Sequence, residues 1–376
     1  MRVMTFRTFS FFAVVAMSIV TCTPPLRAES TERAHRSTAS GTARLWAHDN
    51  LYVWDVVDSR KRGPDERAQM LESLGFKHYA YFSGSEVLTG STRHEFKDIH
   101  GDPDTQITAL QRHGIDVVAW YFWDGAENPQ VRAAFELFRR HNIHPQIWIS
   151  QDYGWVAPEG SGTLRVPTHE EWQRVLSGNV SEFFKLNEEE LPNTNKAQQQ
   201  RVMQEASRIK ALAQLAERYG CTVALYNHDG RWFGNEENEL AIVNYLEQIG
   251  VMNVGLVYNF SHAIDFANVE RDYDDSKNFA QLWGKIKSHV VAVNITAVGG
   301  DGIDLSQGTS ELEMMRIIQQ SGWTGPIGVE VHHGGDAAII LRNDLIALDW
   351  LAAELMRPGS AGPRPQLRDA GLGETN

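Results

Sequence analysis

Four stretches of the sequence bring side chains capable of acid–base or hydrogen-bond chemistry to the end of an apolar run. They are YNHDG (Tyr226 to Gly230), VYNFSHA (Val257 to Ala263), VNITAVGG (Val293 to Gly300) and VEVHHGG (Val329 to Gly335). Glu330 is the sharpest of these positions, because a carboxylate inside a strongly apolar strand is costly unless it is paired or used. His228, flanked by Asp229 and Gly230, offers a proton carrier or a cap for the helix that follows. His262 sits in a loop after a strand, where a surface role competes with a functional one. Asn227, Asn259 and Asn294 supply carboxamides, which both donate and accept and so suit sugar hydroxyls. Asn259 and Asn294 also begin N-x-S/T sequons, as does Asn179, but predicted burial at strand ends disfavours glycosylation at the first two. Of His332 and His333, at most one can face the same mouth as Glu330.

Aromatic residues gather at the ends of the earlier runs: Trp54, Trp120, Tyr121, Trp123, Trp148, Tyr153 and Trp155. Sugars stack on such rings through their C–H faces, so a carbohydrate cleft is one reading and core packing the other. Trp120, Trp148 and Tyr226 are the aromatic candidates for contact with a substrate. Asp55 and Glu86 are possible acid–base partners, while Lys285 and Lys287 read as solvated helix residues. Gly299 to Gly302 is the one glycine-rich turn placed to meet a phosphate, and its aspartate argues against that use.

Short apolar, β-branched-rich runs with no polar alternation are the mark of parallel strands covered on both faces. Such runs alternate eight times with helical patterns. Predicted strands cover 52–57, 78–82, 116–122 and 145–149, with four more closed by the polar clusters above. Predicted helices include 64–74, opened by Pro64 and stopped by Gly75, and 104–113, 129–140, 196–218, 237–248, 275–288, 312–320 and 337–356. This alternation predicts an α/β fold, a single-domain (β/α)8 TIM barrel over 44–357, with its active site where the strands end. The irregular segment 151–193, rich in Gly, Pro and aromatic residues, reads as an insertion or lid after strand four.

The 376 residues, 42% hydrophobic and 22% charged, suit one large globular domain that needs no disulfide or structural metal. Residues 1–28 read as a signal peptide: Arg2 and Arg7 precede the apolar run Phe11 to Val20, and Ala28 is the expected cleavage point. The protein is therefore expected to be secreted or periplasmic, with no transmembrane span. A lipid anchor at Cys22 is disfavoured by Thr21 before it. Residues 29–43 are polar enough for a disordered leader, and 358–376, Pro- and Gly-rich, read as a loose tail. Without residues 1–28 and their three arginines, 32 of the 35 basic residues face all 48 acidic ones, a net −16. Such a surface repels phosphate backbones and argues against a nucleic-acid partner. Cys221 is then left as a lone cysteine, expected to be buried and inert.

The segments LAQLAERYGCTVALYNHDG, NVGLVYNFSHA, VVAVNIT and SGWTGPIGVEVH resemble the xylose isomerase-like TIM-barrel superfamily, over roughly the second half of the chain. That superfamily includes sugar-phosphate isomerases, epimerases, inosose dehydratases and the endonuclease IV group. The resemblance implies a divalent metal held by Glu, Asp, His and Glu at the ends of strands five to eight, where it polarises a sugar oxygen while a carboxylate moves a proton. Only Glu330 keeps its expected ligand. Asn259 stands where the Asp belongs, Asn294 where the His belongs, and Asn227 and His228 close strand five in place of a Glu. His262 matches a histidine that follows the aspartate in many relatives. His228, His262 and Glu330 would still offer two nitrogens and one carboxylate to zinc, manganese or cobalt. Otherwise the asparagines meet sugar hydroxyls with no metal.

The resemblance therefore implies isomerisation or epimerisation of a non-phosphorylated sugar or keto-sugar, by proton abstraction beside a carbonyl, with Glu330 and His228 catalytic. The alternatives are a carbohydrate-binding barrel that has lost its metal site and its turnover, and a lyase acting on oxidised glycosides. A nuclease is opposed by the acidic surface, the export signal and the incomplete ligand set.

Overall fold

The computed structural model describes residues 44–56, 58, 60–82, 102–122, 125–126, 129–150, 195–227, 233–262, 275–298, 304–331 and 335–371. The expected signal peptide, leader and insertion lie outside these residues, as do His228, His332, His333, Glu86, Trp123, Tyr153, Trp155, Asn179 and the Gly299–Gly302 turn. Residues 41–376 make one compact unit.

Eight parallel strands close into a barrel in chain order. They are β1 (Leu51–Trp54), β2 (His78–Phe82), β3 (Asp116–Phe122), β4 (Gln146–Ile149), β5 (Thr222–Tyr226), β6 (Val254–Asn259), β7 (Val290–Ile295) and β8 (Ile327–Glu330). The ring shuts through β1 and β8, where Leu51 to Trp54 pair with Ile327 to Glu330. Among the described residues eight α-helices accompany them: α1 (Pro64–Ser73), α2 (Pro103–Arg112), α3 (Pro129–His141), α4 (Asn195–Arg218), α5 (Glu236–Gln248), α6 (Asp275–Ile286), α7 (Glu311–Gln320) and α8 (Ala337–Met356). The fold is the single-domain (β/α)8 barrel that the alternation predicts.

Local chemistry sets the element boundaries. The Asp102 side chain accepts the Thr105 amide at 3.2 Å to start α2, and Asn235 accepts the Glu237 and Asn238 amides to start α5. Gly250, at φ 82°, turns the end of α5 toward β6 in a backbone region that other residues enter at a cost. β1 stops three residues short of its predicted end, because Asp55 takes a left-handed backbone at φ 45° and breaks the extended run.

Two layers of side chains follow from strand parity. Toward the helices point Val53, Tyr81, Trp120, Phe122, Ile147, Leu225, Tyr258, Val293 and Val329, all in the large outer core. The barrel interior is a second, separate cluster: Tyr52, Trp54, Ala80, Ala119, Tyr121, Trp148, Ala224, Tyr226, Val257 and Ala292. Four alanines leave room for five large rings, an alternation of small and bulky residues that fills a tapering space.

The C-terminal segment departs from the loose tail expected of its composition. It runs back along α8, with Asn343 bonded both ways to the Arg368 backbone at 2.8 and 3.1 Å. Trp350 donates to the Gly362 carbonyl at 3.2 Å, and the Asp336 amide donates to the Ala370 carbonyl at 3.0 Å. These bonds give a proline-rich chain, which forms no element of its own, partners on the helix. Cys221 is buried and its thiol is pushed up to about 12 by burial, as an inert thiol should be. Among the described residues, no helix is long and apolar enough to cross a membrane.

Candidate active site

The strand ends fall into two chemically different arcs. From β1 to β4 the interior is aromatic. Trp54 is the hub, its ring 5.0 Å from Trp148, 5.5 Å from Tyr121, 5.7 Å from Tyr226 and 5.9 Å from Phe82, at angles between 59° and 88°. Edge-on contacts of this kind add to the burial of each ring. Together they make a rigid floor below the polar arc.

From β5 to β8 the interior carries Tyr226, Asn259, Asn294 and Glu330. Asn259 and Asn294 are register partners on adjacent strands, and Asn294 is in turn level with Gly328. Glu330 stands opposite Trp54, two residues above Gly328, and is 8% exposed. Its charge is felt by two of the interior phenols. Burial first and Glu330 second push the Tyr52 and Tyr226 hydroxyls far above their ordinary range, so both keep their protons.

Donors to the two carboxamide oxygens orient these side chains. The Ser261 backbone N–H donates to Asn259 Oδ1 at 2.9 Å, which turns Asn259 Nδ2 toward the Tyr226 hydroxyl oxygen. Trp54 Nε1 donates to the same oxygen at 3.0 Å. Tyr52 donates its hydroxyl to Asn294 Oδ1 at 2.6 Å, a length proper to O–H···O rather than to an amide N–H donor. Asn294 Nδ2 is buried, with no hydrogen-bond partner among the described residues. Gly328 makes room for this pair: a Cβ there would lie 2.1 Å from Asn294 Oδ1 and 2.5 Å from the Tyr52 ring.

The other residues singled out in the sequence take different places. Asn227, one residue past the inward Tyr226, is a strand-end bridge: its Oδ1 accepts the Asn259 amide at 2.8 Å and its Nδ2 donates to Glu236 at 2.7 Å. It locks β5 to β6 and to the first turn of α5, and so supports the mouth without standing in it. Trp120 is turned to the helix layer, stacked on Tyr81 at 3.9 Å and edge-on to Phe138 of α3, because Tyr121 takes the inward position beside it. Trp148 does point inward, but lies fully buried in the floor, stacked on Tyr226 at 5.9 Å. His262 is half-buried on a 3-10 turn (Phe260–His262), its ring edge-on to Tyr226 at 5.7 Å.

Two contributors escape the sequence reading. Tyr52 looks like one more apolar strand residue until the closed barrel lets its hydroxyl reach Asn294 of β7 across Gly328 of β8. Glu236 looks like a routine acidic residue in a helix's first turn, yet it is buried against Asn227. Asp344, on α8, is another buried carboxyl that feels the charge of Glu330; burial first, then Asp304 and Glu330, push it far above the usual carboxylate range.

The described residues alone do not assemble the divalent-metal site implied by the family resemblance, and the expected ligand His228 lies outside them. Among the described residues there is no cluster of three His, Cys, Asp or Glu side chains able to hold an ion. Of the described residues at the ends of β5 to β8, Glu330 and His262 are of ligand type, and both interior carboxamide oxygens are already taken by Ser261 and Tyr52.

The xylose isomerase-like TIM-barrel family model matches residues 179–353. No curated protein matches the sequence. Among solved structures, a fusion of a xylose isomerase-like TIM barrel with a 4-hydroxyphenylpyruvate dioxygenase is 12% identical at a TM-score of 0.47, over 83% of this chain and 44% of the fusion. The present chain thus spans less than half of that protein. The D-psicose 3-epimerase of Clostridium cellulolyticum H10, solved with D-tagatose, is 13% identical at 0.44, over 81% of this chain and 99% of its own. The IOLI protein, solved with a bound zinc atom, is 13% identical at 0.47, over 81% and 98%. From β5 to β8, the arc that holds the polar site, this chain carries the sequence pattern of the xylose isomerase-like TIM barrels.

Proposed function

We propose that this protein is a sugar isomerase or epimerase that moves a proton beside the carbonyl of a non-phosphorylated keto-sugar, with Glu330 as the base. The carrying observation is a carboxylate at the end of β8, 8% exposed, paired across the sheet with Trp54 of the aromatic floor, on a barrel whose β6 and β7 end in buried inward carboxamides. The xylose isomerase-like pattern over 179–353 supports the same class. Glu330 takes the proton from the carbon next to the carbonyl, the C–H pair becomes a C=C bond, and the carbonyl oxygen gathers the charge. Return of the proton to the opposite face inverts the centre; its return to the neighbouring carbon moves the carbonyl. The phenols of Tyr52 and Tyr226, held protonated, do not compete with Glu330 as the base. The apolar N-terminal run after Arg2 and Arg7 supports export, where unphosphorylated sugars are the available substrates.

Deuterium uptake by D-fructose, D-psicose, D-tagatose and D-sorbose in D₂O, followed by NMR, tests this reading. Glu330→Gln is expected to lower uptake about 10²- to 10⁴-fold, with thermal unfolding close to that of the parent. Uptake at the parental rate would reject Glu330 as the base.

A second reading is a carbohydrate-binding barrel without turnover, favoured by Asn259 and Asn294 standing where the family resemblance implies an Asp and a His. Ketose binding with no deuterium uptake, in the presence or absence of zinc or manganese, would select it.

A further inference from the structure

The exit from β1 brings a second charged side chain to the mouth. Along β1 the side chains alternate, with Tyr52 and Trp54 inward and Val53 in the outer core. Continued extension would send Asp55 outward and Val56 inward. Val56 instead lies fully buried in the outer core with Val53, so the alternation slips by one residue between them. The left-handed backbone of Asp55, at φ 45°, is where it slips. Trp54 and Asp55 thus stand together between two outward valines.

The strand beside this exit is β8. Trp54 is level with Glu330, and the Val331 amide donates to the Trp54 carbonyl at 3.2 Å, so the chain leaves β1 alongside Glu330. Tyr226 registers both carboxylates: burial first and Glu330 second raise its hydroxyl, and the charge of Asp55 raises it further. That hydroxyl is inside the barrel, where Trp54 Nε1 donates to it at 3.0 Å. Glu330 is buried, whereas Asp55 is half-buried and so meets a ligand arriving from solvent. Beyond Asp55 the turn is anchored: Arg62 is held by Asp58 at 2.7 Å and by Asp336 at 2.8 Å, and Arg60 by Asp336 at 2.8 Å. A non-glycine residue in left-handed backbone is strained, and such residues gather where ligands are gripped.

We infer that Asp55 is the specificity-determining carboxylate of the mouth: it accepts hydrogen bonds from the hydroxyls of a neutral sugar and repels sugars that carry phosphate or carboxylate. This rests on the sugar reading above and holds for it with or without turnover. A carboxylate has about four acceptor positions and no donor, so it suits a pair of adjacent hydroxyls. Hydrogen bonds to a charged acceptor are the stronger kind. The same charge, with Glu330 on the neighbouring strand, disfavours a like-charged ligand, and specificity is often built from such repulsion. Asp55 selects the sugar, and Glu330 moves its proton.

The test uses the full chain and calorimetry. D-fructose, D-psicose, D-tagatose and D-sorbose are the neutral probes; D-fructose 6-phosphate and D-tagaturonate are the anionic ones. The parent is expected to bind at least one neutral ketose, and the anionic probes at least about tenfold more weakly. Asparagine enters left-handed backbone as aspartate does, so in Asp55→Asn the change falls on the charge. That variant should weaken neutral-ketose binding about 10- to 100-fold and bring the anionic probes closer to the neutral ones. In deuterium uptake the same substitution should raise KM, with kcat altered only a few-fold. Added salt should narrow the parent's preference more than the variant's, since screening acts on charge. If Asp55→Asn fails to fold, Asp55→Gly, which suits the same backbone, carries the test.

An equal loss of neutral and anionic binding would mark Asp55 as structural and overturn the inference. So would parental binding of both classes in Asp55→Asn while Glu330→Gln is inactive in uptake, an outcome that leaves the proton-transfer reading standing. A parent that prefers the anionic probes would overturn it too. A folded parent that binds none of the six probes would overturn both this inference and the sugar reading.

Discussion

The two arcs of the barrel mouth occupy equivalent positions in one fold and have opposite chemistry. β1 to β4 point Tyr52, Trp54, Phe82, Tyr121 and Trp148 inward, and these rings chiefly pack on one another. β5 to β8 point Tyr226, Asn259, Asn294 and Glu330 inward, and these hydrogen-bond or carry charge. Strand parity makes the positions equivalent; residue type makes one arc a floor and the other a site. Tyr52 and Trp54 are the link, since each is a floor ring that donates to the polar arc. Rigid packing on one side thus sets hydrogen-bond direction on the other.

The largest expected break in this comparison is the Glu330→Gln loss of uptake described above, which should touch chemistry and spare stability. The floor should behave the other way round. Trp54→Ala is expected to cost about 3–5 kcal/mol in unfolding free energy, read by denaturant titration, and to weaken ketose binding by the folded fraction, because its ring and indole N–H hold the inward Tyr226. Trp120→Ala removes a ring of the same size from the helix layer. It should cost a comparable amount and leave ketose binding by the folded fraction at the parental level. Equal damage to binding from both would erase the distinction between floor and outer core.

Gly328→Ala probes the joint between the arcs. Its new methyl must displace Asn294 and Tyr52, for a cost of about 1–3 kcal/mol in unfolding free energy, read by denaturant titration. The smallest effect is expected at Asp344, behind Glu330. Its carboxyl is held above its unfolded pKa by burial and by the charges of Asp304 and Glu330, so the folded state keeps the proton longer. Stability is then fullest below the unfolded pKa near 4 and declines as pH rises toward the folded value. Asp344→Asn should therefore raise stability at pH 8 by about 1 kcal/mol or more and change little at pH 4, as read by melting at the two pH values.

The fold is legible because continuous apolar runs between helix signals admit few arrangements, and the predicted helix 337–356 is matched residue for residue by α8. Glu330, Asn259 and Asn294 are legible for a related reason: a polar residue closing an apolar strand has to be accommodated. Parity is harder. In β3 the neighbours Trp120 and Tyr121 are both aromatic, and a strand covered on both faces gives no polar face to show which points inward. The same ambiguity separates inward Tyr226 from bridging Asn227. Partners distant in sequence are invisible until the ring closes: Tyr52 and Asn294 are 242 residues apart.

The segment after α8 also bears on that closure. Its Ala370 carbonyl holds the amide of Asp336, and Asp336 is gripped by Arg62, which also binds Asp58 just beyond β1. The last described turn of chain is therefore laced to the first loop of the ring, much as a hoop is riveted after the staves are set. Trimming the protein at residue 357 would loosen the seam beside Glu330, so the shortest version worth expressing for enzymology is one that retains Gly371.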